Sequence, residues 1–278
     1  NGPDAVELLE RLYTGRFKKL AVGRYRYGVA LDESGVVIED GVIARLAEDR
    51  FYVTATSGGA DAFYREMLRW AMIWDLDVTL SNATSQLAAL NLAGPRSAQV
   101  LSKLTDLDLS QENFPYLAMR EGRIAGVQAR ALRVGFVGEL GYEIHFPASH
   151  GPAVWQALLD AGASAGIGAF GVEAQRLLRL EKGHLIFGQD TDGTTNPFEV
   201  NLGWGVRLSK PQFVGKHSLN ILKPNVERRL VGFITHADPK RFIKECHLVI
   251  EKDDIAGRVT SVAYSPHRHA VIGLAMVD

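Results

Sequence analysis

Apolar residues at Ala5, Leu8, Leu9 and Leu12 recur at i, i+3, i+4 and i+7, one face of a helix, with Pro3 suited to its first turn and Gly15 to its stop. From Tyr25 the period shortens. YRYGVAL, VVIEDGVIARL and FYVTA read as strands, joined by a DESG turn whose Gly35 can take the left-handed conformation and by an AEDR turn, which predicts a three-stranded meander. Beyond the Ser57-Gly58-Gly59 break, Phe63, Met67, Trp70, Ala71 and Trp74 mark the core face of a second helix. The segment NLAGPRSAQVLSKL predicts another helix and echoes the first: Gly94-Pro95 matches Gly2-Pro3, and Leu101 and Leu104 match Leu9 and Leu12 in spacing. The echo fits either chance or two related α+β halves. GFVGELGYEIHFP, Gly135 to Pro147, turns into an alternating strand; Trp155, Leu158 and Leu159 form a helix ending at Gly162, and GVEAQRLLRLEKG another ending at Gly183. After Lys223-Pro224-Asn225, the segments ERRLVGFITH, HLVIEKDD, GRVTSVAYS and AVIGLAMVD are all strand-like, so the tail reads as a small, separable β-unit.

Composition narrows the picture without naming a function. The chain has 278 residues, 46% of them hydrophobic, enough for a substantial core and more than one compact unit. Basic and acidic side chains number 31 and 32 with no long run of either sign, so the electrostatic footprint for nucleic acid or an anionic membrane is absent. The single cysteine, Cys246, excludes an internal disulfide and any CxxC site and makes a reducing, cytoplasmic setting the default. No apolar run approaches the roughly 20 residues of a membrane span. The chain opens on NGPDAVELLERL, without a methionine and almost directly into a helix, so it is expected to be a fragment of a longer polypeptide.

Several motifs invite a functional reading and meet a plainer one. GIGAFG, Gly166 to Gly171, fits GxGxxG, but it follows a helix and lacks the βαβ surroundings of a dinucleotide site. DTDG, Asp190 to Gly193, starts like a calcium loop, yet its glycine comes too early and no acid closes it; a turn with capping aspartates is expected. His267 and His269 alternate without a nearby third ligand and read as solvated. Asp40 lies in an otherwise apolar strand beside Glu39. Neighbours on a strand face opposite sides, so one of the two acids points inward unless Gly41 marks a bulge that leaves both solvated. Glu139 and Glu143 sit among Gly135, Gly138 and Gly141, which suit either a tight hairpin or the close approach of a flat ligand.

Two of these segments carry a resemblance. GFVGELGYEI, Gly135 to Ile144, resembles the GYTGExGxEI segment of the folate-binding aminomethyltransferases typified by the glycine cleavage T-protein, and SGVVIED, Ser34 to Asp40, resembles that family's GGxxDD strand. The resemblance covers essentially the whole chain. It is closer to the T-protein-like C-terminal half of the α subunit of heterotetrameric sarcosine oxidases, through FPYLAMREGRIAGVQARALRVGFVGELGYEI, RLEKGHLIFGQDTDGT, KPQFVGKHSL and GRVTSVAYSP. A related group linked to iron–sulfur protein maintenance has KGCYxGQE, but EKGHLIFGQD places His184 where the cysteine would be.

The resemblance implies an α+β, three-lobed cloverleaf of two α/β lobes and a small C-terminal β-barrel-like lobe, with residues 1–222 as the folate-binding region of two interleaved lobes and 223–278 as a C-terminal β domain, whether complete or not. Tetrahydrofolate would occupy a central funnel. Asp40 corresponds to the carboxylate near the folate N10 nitrogen and is the expected catalytic residue; Glu143 corresponds to the acid that pairs with the pterin edge. Tyr27, Phe136, Tyr142, Gln175 and Arg179 complete the expected folate-binding set. Phe136 replaces a usual tyrosine, and Gln175 replaces a usual arginine, which removes a cation for an anionic folate group or a lipoyl-protein partner. No flavin or metal is expected on this chain. The implied activity is one-carbon transfer that forms 5,10-methylenetetrahydrofolate, with a methylene or iminium donor and flavoprotein oxidase subunits as partners. The alternatives are a free-standing glycine-cleavage-type aminomethyltransferase and a non-catalytic folate-binding scaffold.

Overall fold

A computed structural model describes residues 1–236 and 243–278. In chain order the helices are α1 (Ala5–Leu12), α2 (Ala60–Ile73), α3 (Ser97–Leu101), α4 (Gly151–Gly162), α5 (Val172–Lys182) and α6 (Lys216–Leu222). The strands are β1 (Tyr25–Leu31), β2 (Val37–Ala47), β3 (Arg50–Val53), β4 (Leu87–Ala93), β5 (Met119–Ile124), β6 (Val127–Leu132), β7 (Gly141–Pro147), β8 (Arg229–Thr235), β9 (Leu248–Glu251), β10 (Asp254–Ser265) and β11 (Ala270–Val277). Among the described residues no helix is long and apolar enough to cross a membrane.

These elements form three open sheets, ordered β1-β2-β3, β4-β7-β6-β5 and β8-β11-β10-β9. The first is the expected meander, and the third is built from the four strands expected in the tail. The second was only partly foreseen. Charged residues interrupt MREGRI and VQARAL, so neither announces a strand, yet they pair antiparallel around Ala125 and Gly126, with φ of 51° and 78°. Two successive positive φ values match the twist of a two-residue hairpin. The helix expected from NLAGPRSAQVLSKL shrinks to the five residues of α3, because Leu92 and Ala93 belong to β4. The echo with the first helix nevertheless extends to the backbone: Gly2 and Gly94 have φ of 129° and 127°.

The chain divides into two compact units, and α1, β1 and β2 pass from one into the other. Unit 1 comprises residues 1–5, 19–26 and 42–171. Its core is built on one face of the β4-β7-β6-β5 sheet. Leu92 of β4, Tyr142, Ile144 and Phe146 of β7 and Ala129 and Ala131 of β6 cluster with Val154 and Leu158 of α4 and Leu101 of α3. Period-2 alternation sends the intervening residues of β7, Glu143 and His145, to the other face.

Unit 2 comprises residues 6–18, 27–41 and 172–278. Its core gathers Val29, Leu31 and Val37 from β1 and β2, Leu180 from α5, and Ile272, Leu274 and Met276 from β11. A buried ion pair ties α5 to β10. The Arg179 guanidinium lies 2.6 Å from Asp190 and donates to Ser261 Oγ at 2.7 Å, while Asp190 accepts from Thr260 Oγ1 and Ser261 Oγ at 2.6 and 2.5 Å. Asp192 accepts from Thr194 and Thr195 and so caps the DTDG turn as expected, whereas Asp190, expected to cap as well, is the buried partner of Arg179. His267 and His269 are exposed in the turn between β10 and β11.

Candidate functional site

In unit 2, strand alternation separates the two acids of β2. Glu39 is 2% exposed and Asp40 is half-buried on the opposite side, so the inward-pointing acid is Glu39, and the account with both acids solvated does not apply. Tyr27, on β1, donates its hydroxyl to Asp40 Oδ2 at 2.5 Å. Burial, and next the charge of Asp40, push the Tyr27 phenol well above its ordinary range. It therefore stays protonated and acts as a donor, fixing Oδ2 of Asp40 in place. Trp204 stacks on Tyr27, with ring centroids 5.7 Å apart and planes at 28°, and is 59% exposed. Tyr27, Asp40 and Trp204 thus form a patch with an aromatic wall and a tethered carboxylate. Trp204 did not emerge from the sequence; its only signal is a glycine on each side, in Gly203-Trp204-Gly205.

In unit 1, Glu143 is half-buried on the polar face of β7. Asn91 of β4 and Leu132 of β6 stand opposite it in register. His145, two residues on and on the same face, is 8% exposed; its Nε2 lies 3.5 Å from Glu143 Oε2 and its Nδ1 lies 2.7 Å from Tyr52 Oη. The buried atoms Asn91 Oδ1 and His145 Nε2 make no hydrogen bond to the protein. A carboxylate with a buried acceptor beside it suits a flat heterocycle edge rich in N–H donors, which is the chemistry of a pterin. Sequence reasoning missed His145, two residues along β7 from Glu143, and Asn91, its cross-strand neighbour on β4. Near them, α2, β3 and the start of β4 enclose a cavity of about 500 Å³ whose wall includes Tyr52, Arg130 and His145.

The remaining expected residues separate by their surroundings. Phe136 is half-buried in the bend that precedes β7. Tyr142, expected to bind folate, faces the other way from Glu143. It is 0% exposed and packs edge-to-face on Phe114 at 5.6 Å, because adjacent strand residues cannot share a face. Gln175 is half-buried on α5. Arg179, one turn further and also expected to bind folate, is 1% exposed, with its guanidinium engaged by Asp190, His184 O and Ser261.

Each glycine of the turn that leads into β7 has a reason within the chain itself. A Cβ on Gly135 would lie 2.5 Å from the Glu139 carbonyl oxygen, and one on Gly141 would lie 3.2 Å from the carbonyl oxygens of Leu92 and Val134. Gly138 has φ of 83°, and Glu139 is exposed. Gly135→Ala is expected to lower stability by about 1–3 kcal/mol, because a backbone oxygen cannot yield as a side chain can; urea unfolding measures it.

Tyrosine burial also sets an alkaline limit. Burial raises the phenols of Tyr13, Tyr25, Tyr27 and Tyr52 above the ordinary value of 10.0. Above that value the unfolded chain loses these protons while the folded chain keeps them, so the folded state binds more protons and stability falls as pH rises. The denaturation midpoint is expected to drop from pH 9.5 to pH 11.5 (roughly the window set by a phenol pKa of about 10), and to drop less in Tyr27→Phe.

Residues 1–210 match the family model described as the GCVT N-terminal domain, and residues 228–278 match the glycine cleavage T-protein C-terminal barrel domain. Over 99% of its length the chain is 38% identical to the sarcosine oxidase subunit alpha of Corynebacterium sp. (strain U-96), and it spans only 30% of that relative's length. It is 33% identical over its whole length to the aminomethyltransferase of Thermotoga maritima, of which it covers 74%. The crystal structure of glycine cleavage system aminomethyltransferase T from Bartonella henselae matches it with a TM-score of 0.84 at 26% identity, over 99% of this chain and 74% of that one. The expected mixed α+β class and small C-terminal barrel-like domain therefore hold, with the tail sheet open among the described residues. Sequence segments, fold and both matched domains agree: the chain belongs to the glycine cleavage T-protein family.

Proposed function

We propose that this chain is a tetrahydrofolate-dependent one-carbon transfer enzyme domain of the sarcosine-oxidase-alpha type, with residues 1–222 as its folate-binding region and 223–278 as its C-terminal β domain. It captures a methylene unit, delivered as an iminium or formaldehyde equivalent, to form 5,10-methylenetetrahydrofolate in the cytoplasm. The observation that carries this reading is the half-buried Asp40 carboxylate tethered by Tyr27 at 2.5 Å. Identity of 38% to a sarcosine oxidase alpha subunit favours this type, and the rest of such an assembly, its flavoprotein subunits, would generate the one-carbon donor.

Tetrahydrofolate supplies the two amine nitrogens that the one-carbon unit bridges. Asp40 accepts the proton that the attacking amine loses as its C–N bond forms, and with formaldehyde as donor the carbonyl oxygen leaves as water. Tyr27 holds the base in place, and Trp204 offers a face on which an aromatic ring can stack. Glu143 anchors the pterin through its N–H donors, with Asn91 Oδ1 as a neighbouring acceptor. Phe136 and Gln175 border the ligand, whereas Tyr142 and Arg179 support it from within the scaffold.

Glu143→Gln tests the anchor. A hydrogen bond to a charged group is worth about 1.5–3 kcal/mol, so calorimetric titration is expected to show tetrahydrofolate binding roughly 10- to 100-fold weaker. Native affinity in this variant would remove Glu143 from the site. A free-standing aminomethyltransferase reading draws on the 33% identity to the Thermotoga maritima enzyme. It requires aminomethyl transfer from a lipoyl-protein, and a discharge assay with that donor separates the two. Folate binding without product from any donor would mark a scaffold.

A further inference from the structure

We propose that His145 is a positioning residue for Glu143: clamped by Tyr52, its imidazole aims an N–H at the Glu143 carboxylate and holds that carboxylate in its ligand-pairing orientation. The proposal rests on Glu143 contacting the pterin.

The spacing comes first. His145 follows Glu143 by two residues on β7, so both side chains rise from one face of the sheet. Across that face His145 stands opposite Ala89 on one side and Arg130 on the other. Ala89 leaves room for the imidazole, and Arg130 is held by Glu121 at 2.8 Å with its guanidinium over the Tyr52 ring at 4.8 Å. Arg130 therefore steadies Tyr52, and Tyr52 steadies His145. The Tyr52 and His145 rings meet nearly edge-on, at 78°.

The position of the ring proton follows from charge. Burial raises the Tyr52 phenol above its ordinary range, so its O–H persists and can donate to Nδ1. A neutral imidazole that accepts at Nδ1 carries its proton on Nε2, the nitrogen 3.5 Å from Glu143 Oε2. The opposite tautomer would turn a lone pair toward a carboxylate and is disfavoured. Nε2 is buried and makes no hydrogen bond in the protein, and Glu143 Oε2, 3.5 Å away, is the acceptor its N–H addresses. Ligand binding that draws the carboxylate slightly toward His145 would close the gap to hydrogen-bonding distance.

A merely space-filling histidine makes a different prediction, and a double-mutant cycle tells the two apart. Tetrahydrofolate affinity is measured by calorimetry in the native chain, His145→Leu, His145→Gln, Glu143→Gln and the Leu/Gln double variant. His145→Leu is expected to weaken binding about 3- to 10-fold, the scale of coupling between residues in contact. His145→Gln, whose amide can donate near the Nε2 position, recovers most of that loss. In the Glu143→Gln background the leucine substitution adds less than about twofold. Additive losses with folded variants, or glutamine as poor as leucine, would overturn the proposal while leaving Glu143 as the anchor. If Glu143→Gln itself binds normally, the anchor reading and this proposal fail together. Should His145→Leu not fold, Tyr52→Phe replaces it in the same cycle, with the same expectation of non-additivity.

Discussion

A chain carrying Asp40→Asn is expected to bind tetrahydrofolate within about threefold of the native affinity, yet to form methylenetetrahydrofolate about 10²- to 10⁴-fold more slowly, the usual contribution of a positioned general base. Asparagine keeps the shape of the side chain and an oxygen that can accept from Tyr27, so the tether at 2.5 Å has a counterpart in the variant. The ability to take a proton is what disappears. Because the loss falls on turnover rather than on binding, a titration and a rate assay from formaldehyde together separate base removal from a damaged pocket. Tyr27→Phe is expected to fall in between, since it frees the carboxylate without removing it. Equal rates in native and Asp40→Asn chains would sink the assignment of Asp40 as base. Loss of binding in step with loss of rate would instead make Asp40 a ligand anchor.

The largest effect on stability is expected at the buried Arg179–Asp190 pair, whose side chains are 1% and 0% exposed and 2.6 Å apart. Arg179→Met leaves the Asp190 carboxylate buried without its counter-charge, and breaking a buried pair on one side costs about 3–5 kcal/mol. Hydrogen bonds from Thr260, Ser261 and the Ile186 N–H remain to Asp190 and offset part of that penalty. Adding Asp190→Leu to Arg179→Met is expected to restore most of the lost stability, because an apolar pair carries no desolvation penalty. Urea unfolding of the single and double variants decides the matter. A double variant less stable than Arg179→Met alone would mean that Asp190 acts mainly through Thr260, Ser261 and the backbone.

Much of the local structure was legible because its causes are local. The i, i+3, i+4 spacing of Ala5, Leu8, Leu9 and Leu12 became α1, and the alternation from Tyr25 became the meander. Alternation along β7 puts Tyr142 and Glu143 on opposite faces, so only one of these two expected folate contacts can face a ligand, and His145, which shares the face of Glu143, was not among the expected residues. The hairpin of β5 and β6 was harder to see, since its charged outer face masks the period and its turn relies on Ala125 at φ 51°.

Partners distant in sequence were not legible. Arg179, expected to bind folate, is instead closed over by Asp190 and Ser261, and Trp204 has no local pattern linking it to Tyr27. Which of Glu39 and Asp40 turns inward depends on what packs against β2, and no spacing along the strand encodes that. The sequence by itself determined the element periods and the family-like segments around Asp40 and Glu143, because these are written in local spacing and residue type. Tertiary structure alone decided that Tyr27 tethers Asp40, that Tyr52 clamps His145 beside Glu143 and that Arg179 is a buried strut. Hydrogen bonds and ion pairs act over about 3–4 Å, and only the folded chain brings residues tens of positions apart within that reach.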